Sequence, residues 1–170
     1  NTDFLYLSGF QEPDSVLIIE SSKNHPLPSH KSTLFVPRRD PAKELWEGPR
    51  SGAKATPELT GIENAYNIDE LSLYLNKYLT ENRSFVTWYN FNRPVHPEFH
   101  RRYFTSFIKE NKSGAVEPTK MLLHSLRCIK SEAEASLMQR SCDIASKALT
   151  EVMKFSQPQV FIYLLLLFLQ

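Results

Sequence analysis

The chain has 170 residues, enough for one domain of ordinary size with a buried core and too few for a second full domain. Hydrophobic residues make up 41% and charged residues 23%, which is typical of globular proteins and argues against a disordered chain. Its 20 basic and 19 acidic residues give a net charge of +1 without a long block of one sign. Nucleic acid is therefore not expected as a partner.

Cys128 and Cys142 are the only cysteines, and their spacing fits neither a disulfide framework nor a metal-binding CxxC pair. We therefore expect free thiols in a reducing compartment. Residues 1–10 lack the basic start and long apolar run of a secretory signal, and no amphipathic transit peptide is visible. A targeting segment, if the protein has one, is expected upstream.

Short β-rich runs separated by turn residues dominate the first half of the chain and are typical of strands in a buried sheet. Four strands are predicted, at Phe4–Ser8, Ser15–Glu20, Thr33–Val36 and Phe85–Tyr89. Because the second run is apolar on both faces, it predicts a central strand that is covered on both sides. Pro37 cannot donate to a ladder, so it ends the third strand.

Helical periodicity lies between and after these strands. Apolar residues at three-to-four spacing predict a helix over Ile68–Leu79 with Asn67 as its N-cap. His96–Ile108 is predicted as another helix, opened by Pro97 in its first turn. Asn111–Pro118 has the composition of a linker. The alternation of strands and helices indicates one α/β domain before this linker.

A long amphipathic helix is predicted after the linker. Ser131 and Glu134 form a capping box that opens it. Apolar residues then repeat at helical spacing over about six turns, and these are Ala135, Met138, Cys142, Ala145, Leu149 and Val152. The pattern favours a helix that packs on its own domain. The alternative is a helix whose apolar seam awaits a partner outside the chain.

Val160–Leu169 is an unbroken run of apolar residues near the end of the chain. A helix of this length would cross only about half of a roughly 30 Å hydrocarbon core, so no membrane span is expected. A core strand or helix, an aggregation-prone tail and a truncated anchor remain open as interpretations.

Local catalytic signatures are missing from the sequence, which contains no HExxH, GxSxG, phosphate-binding glycine loop or paired CxxC motif. His96 and His100 lie four residues apart and would share a helix face as half of a zinc site, but two ligands do not complete one. Arg38 and Arg39 could bind an anion. An ion pair between arginine and the adjacent Asp40 that fixes the loop is the favoured interpretation.

Trp46 lies between Leu45 and Glu47, just before a Gly-Pro turn that could present its ring. Amphipathic rings on rigid loops often anchor interfaces or line pockets. Core packing is the competing interpretation, and the residues alone favour it.

Four segments in the correct order resemble the aminopeptidase P family. They are Phe4–Ser15, Leu34–Asp40, Glu44–Gly52, and Leu126–Ser131 with Glu134 and Met138. The first three are similar to the family's N-terminal domain, and the fourth is similar to the segment that opens its catalytic domain. The resemblance covers about residues 1–156.

The resemblance implies an α/β domain with a mixed sheet flanked by helices, followed by the first helices of a truncated pita-bread domain of the creatinase type. It assigns residues 1–110 to the N-terminal domain, with its upstream edge missing, and 111–120 to a linker. Residues 121–156 would be the first catalytic-domain helices. The apolar tail 157–170 does not resemble the family, and we interpret it as non-family sequence.

The chemistry implied by the resemblance lies in the catalytic domain. There, two aspartates, a histidine and two glutamates hold a pair of divalent ions, usually manganese, and a bridging hydroxide attacks the bond before a penultimate proline. None of those ligand motifs occurs in this sequence. We therefore expect no catalytic residue, metal ligand or cofactor in this chain. The resemblance also implies a mitochondrial or cytoplasmic location.

Trp46 matches the position at which tetrameric bacterial members of the family lend an aromatic ring to a neighbouring subunit's substrate pocket. The resemblance thus implies a pocket or interface role in trans, within a homo-oligomer or on a full-length family subunit. An inactive portion of a metalloaminopeptidase is the favoured function. A regulatory module that pairs with the full-length enzyme is the alternative. An independent enzyme that uses His96 and His100 is disfavoured.

Overall fold

The computed structural model describes residues 2–21, 30–82, 85–111 and 115–156. The chain divides into two compact units, Asn1–Met121 and Leu122–Gln170. The helices are α1 (Thr2–Ser8), α2 (Pro41–Glu47), α3 (Gly52–Thr60), α4 (Leu71–Glu81), α5 (Pro97–Phe99), α6 (Thr105–Glu110), α7 (Lys120–Cys128) and α8 (Glu132–Phe155). The strands are β1 (Val16–Ser21), β2 (His30–Val36), β3 (Asn64–Asn67), β4 (Thr87–Trp88) and β5 (Val116–Glu117).

A mixed sheet forms the centre of the first unit, in the order β1-β2-β3. β1 runs antiparallel to β2 with Val16 opposite Phe35, and β2 runs parallel to β3 with Thr33 opposite Asn64. The mixed sheet with flanking helices confirms the predicted fold class. β4 and β5 pair in a separate, parallel two-stranded sheet.

Side chains of β2 alternate between two apolar clusters on opposite faces of the sheet. Phe35 packs on one face against a cluster that contains Leu71, Leu75, Tyr103 and Phe107. The second cluster consists of Phe10, Leu34 and Val36. Four consecutive residues of β2, Thr33 to Val36, are fully buried. The core of the first unit is therefore built around β2.

The sequence prediction of a central strand at Ser15–Glu20 is wrong for the described residues. β1 has a partner strand on one side only, and none of its residues is fully buried. Its apolar side chains nevertheless pack on both faces, with Val16 and Ile18 against the Phe35 cluster and Leu17 against the Phe10 cluster. Two covered faces produce the apolar pattern at a sheet edge as well as at a sheet centre.

The predicted strand at Phe4–Ser8 is also wrong, because this segment forms α1. Its turn is closed by the Ser8 hydroxyl, which donates to the Phe4 carbonyl at 2.7 Å, and by the Gly9 amide, which donates to the Leu5 carbonyl at 2.8 Å. Gly9 has a φ of +66°, the left-handed conformation that commonly follows a helix. An apolar run this short does not distinguish a strand from a helix.

Two further predictions are only partly correct. Of the strand predicted at Phe85–Tyr89, only Thr87 and Trp88 form a strand, which is β4. Part of the linker predicted over Asn111–Pro118 forms β5, which pairs with β4. Next to this pair, the Thr87 amide donates to the Ala115 carbonyl at 3.0 Å. Linker composition cannot exclude a two-residue strand, because such a strand needs only backbone groups.

The helix predictions are confirmed. A 3-10 turn at Ile68–Glu70 leads into α4, with Asn67 at its N-cap. Pro97 opens a helical stretch that runs to Glu110, within which His100–Phe104 is π-helical. α8 begins with the predicted capping box, in which the Ser131 amide donates to Glu134 Oε2 at 2.8 Å.

The second unit contains most of α7 and all of α8, and neither helix has a buried residue. Within this unit the seam of α8 is exposed, with Met138 at 53% and Leu149 at 61%. That the seam packs on its own domain stays a prediction. The predicted apolar tail at Val160–Leu169 lies outside the described residues. Among the residues that are described, no helix is long and apolar enough to cross a membrane.

Candidate functional site

The candidate site is α2, the short helix that carries Trp46. Asp40 caps its N-terminus by accepting a hydrogen bond from the Ala42 amide at 3.0 Å, and Pro41 occupies the first turn. Its C-terminal neighbour Gly48 has a φ of +88°, so the chain turns away immediately after the helix. No residue of α2 is buried. Packing in the core therefore does not fix its orientation.

Trp46 is 87% exposed, and its neighbour Leu45 is 78% exposed. Trp46 has the largest exposed fraction among the large hydrophobic side chains that the structure describes. The core-packing interpretation of Trp46 is therefore wrong. α2 instead presents an exposed indole ring and an exposed aliphatic side chain. Aromatic side chains that become buried when a partner binds contribute strongly to binding interfaces.

Ion pairs connect α2 and the end of β2 with neighbouring residues. Arg39 donates two hydrogen bonds to Glu44, from Nε to Oε1 and from Nη2 to Oε2, each at 2.9 Å. Arg50 Nη2 donates to Glu47 Oε2 at 2.7 Å. Arg38 Nε donates to Asp69 Oδ2 at 2.9 Å and so ties the end of β2 to the turn before α4. Both arginines form ion pairs, as predicted, but with Asp69 and Glu44 instead of the adjacent Asp40.

The bidentate pair also changes the proton affinity of its members. Hydrogen bonding to Arg39 lowers the pKa of the Glu44 carboxyl below its usual range, and the same contact raises the pKa of Arg39. Both groups therefore keep their charges at neutral pH. Sequence reasoning expected Arg39 to pair with the neighbouring Asp40, but Asp40 is used as the helix cap.

The loop after α2 is anchored at two further points. The Ser51 amide donates to Glu12 Oε1 at 2.8 Å, and the Ser51 hydroxyl bonds to the same oxygen. Gly52 has a φ of +63°, and a Cβ added there would lie 2.9 Å from Arg39 Cγ. Glycine is therefore needed at this position both for its backbone conformation and for the close approach of Arg39.

His96 and His100, which the sequence places four residues apart, do not belong to a group of described side chains that could hold a metal ion. His100 Nδ1 lies 3.1 Å from the Tyr89 hydroxyl, and its ring stacks on that of Tyr89. His96 lies beside the Phe99 ring. Across the described ranges, no three His, Cys, Asp or Glu side chains lie close enough to hold a metal ion. The described residues therefore do not fit a pair of manganese ions. Both cysteines are free thiols and exposed.

An apolar groove of about 860 Å³ lies within the first unit, between β1 and the segment that contains β4. Tyr74 and Tyr78 line it together with Phe85 and residues of β1. Sequence reasoning missed this groove, because its walls come from segments that are about 70 residues apart in the chain and no local pattern signals their proximity.

Tyrosine ionisation should destabilise the first unit at alkaline pH. The Tyr74 hydroxyl donates to Glu20 Oε2 at 3.0 Å, and burial raises the pKa of Tyr74. Burial also raises the pKa values of Tyr78 and Tyr89. Because a raised pKa in the folded state favours the neutral hydroxyl, its contribution to stability is fully present below the unfolded pKa of about 10. The contribution is lost as the pH rises through the folded pKa.

We therefore expect the free energy of unfolding, measured by urea denaturation, to fall as the pH rises above about 10. Tyr74→Phe should make that fall less steep, since one of the three raised groups is removed. An equal slope in the variant and the unsubstituted chain would show that Tyr74 does not contribute.

Comparison with known proteins matches residues 1–88 to the aminopeptidase P N-terminal domain. Xaa-Pro aminopeptidase 3 of Homo sapiens is 42% identical over 162 residues, which cover 94% of this chain and 32% of that protein. A more distant relative is intermediate cleaving peptidase 55, mitochondrial, of Arabidopsis thaliana, at 29% identity over 92% of this chain and 29% of that protein. The chain thus spans about a third of the length of these relatives.

Solved structures agree with this assignment. Proline aminopeptidase P II from Yersinia pestis matches with a TM-score of 0.77 at 29% identity, over 97% of this chain and 38% of that one. A zinc-substituted Escherichia coli aminopeptidase P in complex with product matches with a TM-score of 0.76 at 28% identity, over 96% of this chain and 37% of that one. The chain belongs to the aminopeptidase P family and contains its N-terminal domain.

Proposed function

We propose that this chain is the non-catalytic N-terminal part of an X-Pro metalloaminopeptidase and that it completes a substrate pocket or an oligomer interface through Trp46. The observation that carries the proposal is the 87% exposure of Trp46 on a helix without buried residues, in a domain of the aminopeptidase P family. An indole ring exposed to this degree on one subunit becomes useful when a neighbouring subunit covers it.

The proposed reaction of the complete enzyme is release of the N-terminal residue before a penultimate proline, supported by the relatives named Xaa-Pro aminopeptidase. When bound, a pair of manganese ions would supply the hydroxide for this hydrolysis. The described residues provide no ligand set for these ions, so their part is to fold, to associate and to present Trp46. The relative named mitochondrial supports a mitochondrial location, and a cytoplasmic location is the alternative.

Replacing Trp46 with alanine in the full-length enzyme should lower kcat/KM for an X-Pro substrate by about tenfold or more, equivalent to roughly 1.4 kcal/mol of lost binding. Loss of an anchoring aromatic side chain commonly costs this much or more. Steady-state kinetics and light scattering on the same preparation measure activity and oligomeric state together.

Leu59→Ala is the control, because Leu59 is also exposed, at 68%, but lies on α3. This variant should leave both measurements unchanged. Unchanged kinetics together with an unchanged oligomeric state in Trp46→Ala would refute the proposed role of the ring.

A second function, a regulatory module that pairs with a full-length subunit, is favoured by the exposed face of α8. Large apolar side chains on one face of this helix are exposed, and they include Met138, Leu149 and Met153. An apolar helix face of this extent is typical of a surface that binds a partner. Co-purification of the chain with the full-length enzyme would favour this function over the first.

A further inference from the structure

Trp46 lies on α2, which is too short to be stable by itself. Helices of seven residues are marginal in water, and packing of an apolar face normally stabilises them. α2 has no buried residue, so this source of stability is missing. Its orientation must depend on other contacts between the helix and the rest of the domain.

Arg39 and Glu44 provide the strongest such contact. Arg39 lies three residues after the end of β2, whose last residues are fully buried, whereas Glu44 lies in the middle of α2. Their two parallel hydrogen bonds fix direction as well as distance, which a single contact would not. The Asp40 cap holds only the first turn. Glu44 lies two residues before Trp46 in the same helix.

Gly52 and Arg50 add to this arrangement. Arg39 packs so closely on Gly52 that an added Cβ would lie 2.9 Å from its Cγ, which limits the positions open to the guanidinium. Arg50 holds Glu47, the residue after Trp46, at 2.7 Å. Contacts with charged groups thus lie on both sides of the indole along the chain.

We infer that Arg39 and Glu44 are positioning residues, whose bidentate ion pair fixes α2 and thereby the direction in which Trp46 is presented to a neighbouring subunit. Isolated surface ion pairs contribute little to stability, but bidentate pairs within a network are the exception. The inference rests on the proposed function for its role in catalysis. Its structural part can be tested without that function.

The structural test uses tryptophan fluorescence of the whole chain in a Trp88→Phe background, where Trp46 is the only tryptophan. Time-resolved anisotropy separates fast local motion of the ring from tumbling of the protein. Glu44→Gln keeps the size of the side chain but removes its charge, and should raise the amplitude of the fast component about twofold. Arg39→Lys should do the same, because lysine cannot make the bidentate contact.

Two controls distinguish positioning from a general loss of structure. Glu58→Gln makes the same chemical change at an exposed glutamate on α3 and should leave the anisotropy unchanged. Exchanging both partners, Arg39→Glu with Glu44→Arg, should restore much of the rigidity. If Glu44→Gln fails to fold, the unsubstituted background can be titrated from 0.05 to about 1 M salt, which shortens the screening length from above 10 Å to about 3 Å and should raise the fast component.

An unchanged fast component in Glu44→Gln, or in the salt series, would overturn the inference. Kinetics of the full-length enzyme then separate the two proposals. Glu44→Gln should raise KM about threefold to tenfold with little change in kcat, as expected when ground-state binding is weakened. If the anisotropy rises but Trp46→Ala leaves the kinetics unchanged, positioning stands and the proposed function fails. If Trp46→Ala lowers kcat/KM and Glu44→Gln changes neither measurement, only positioning fails.

Discussion

Replacing Leu71 with alanine should lower the free energy of unfolding by about 2–5 kcal/mol. Leu71 is fully buried at the start of α4 and belongs to the cluster that packs on Phe35. The substitution removes buried apolar surface and leaves a cavity that close-packed neighbours fill only in part. Since domains are stable by only about 5–15 kcal/mol, this is a large share of the total.

Urea or thermal denaturation of the chain measures this loss, and for a chain of this size each kcal/mol should shift Tm by about 2–4 °C. Leu73→Ala is a matched control, because it is the same substitution in the same helix at a side chain that is 74% exposed. It should change stability by less than about 0.5 kcal/mol. Equal losses in the two variants would contradict the assignment of Leu71 to the core.

The second large effect concerns activity: the purified chain of 170 residues should release no N-terminal residue from an X-Pro peptide, with or without added Mn²⁺. Metal-assisted hydrolysis needs a set of carboxylate and imidazole ligands that fix the ions and their hydroxide. In the ranges that the structure describes, no three such side chains come together. A full-length relative, assayed in parallel, provides the positive control.

Cleavage before proline by the chain itself, in a preparation free of other peptidases, would refute the non-catalytic assignment. Adding the chain in excess to the full-length enzyme tests the alternative in the same assay. Unchanged turnover would agree with a domain that functions only as part of a full-length subunit. A reproducible rise or fall in turnover would favour the regulatory module, which would pair with the enzyme through a surface such as the exposed face of α8.

Sequence reasoning worked best where the signal was local. The capping box at Ser131 and Glu134 involves residues three positions apart, so its geometry is nearly independent of the rest of the fold. The periodicity of Ile68–Leu79 likewise marks the face of α4 that carries Leu71 and Leu75 into the core. Resemblance to the aminopeptidase P family added the mixed sheet, which no local pattern specified, and the comparisons confirm that family.

The candidate site was predicted only in part. Trp46 was singled out from the sequence, but its exposure was not, since an indole beside Leu45 fits a core as well as a surface. The ion pair of Arg38 with Asp69 joins residues 31 positions apart. Arg39 had an acidic neighbour at Asp40 and another at Glu44, and only the geometry of the cap decided between them.

By itself, the sequence determined α4, the helical stretch opened by Pro97, α8 with its capping box, and the family, because these depend on contacts within a few residues or on motifs in a fixed order. The tertiary structure decided which strand lies at the centre of the sheet and that Phe4–Ser8 is helical. Each of these depends on where distant segments meet. An apolar residue in a sequence indicates only that its burial is favourable. Which surface covers it depends on the rest of the fold.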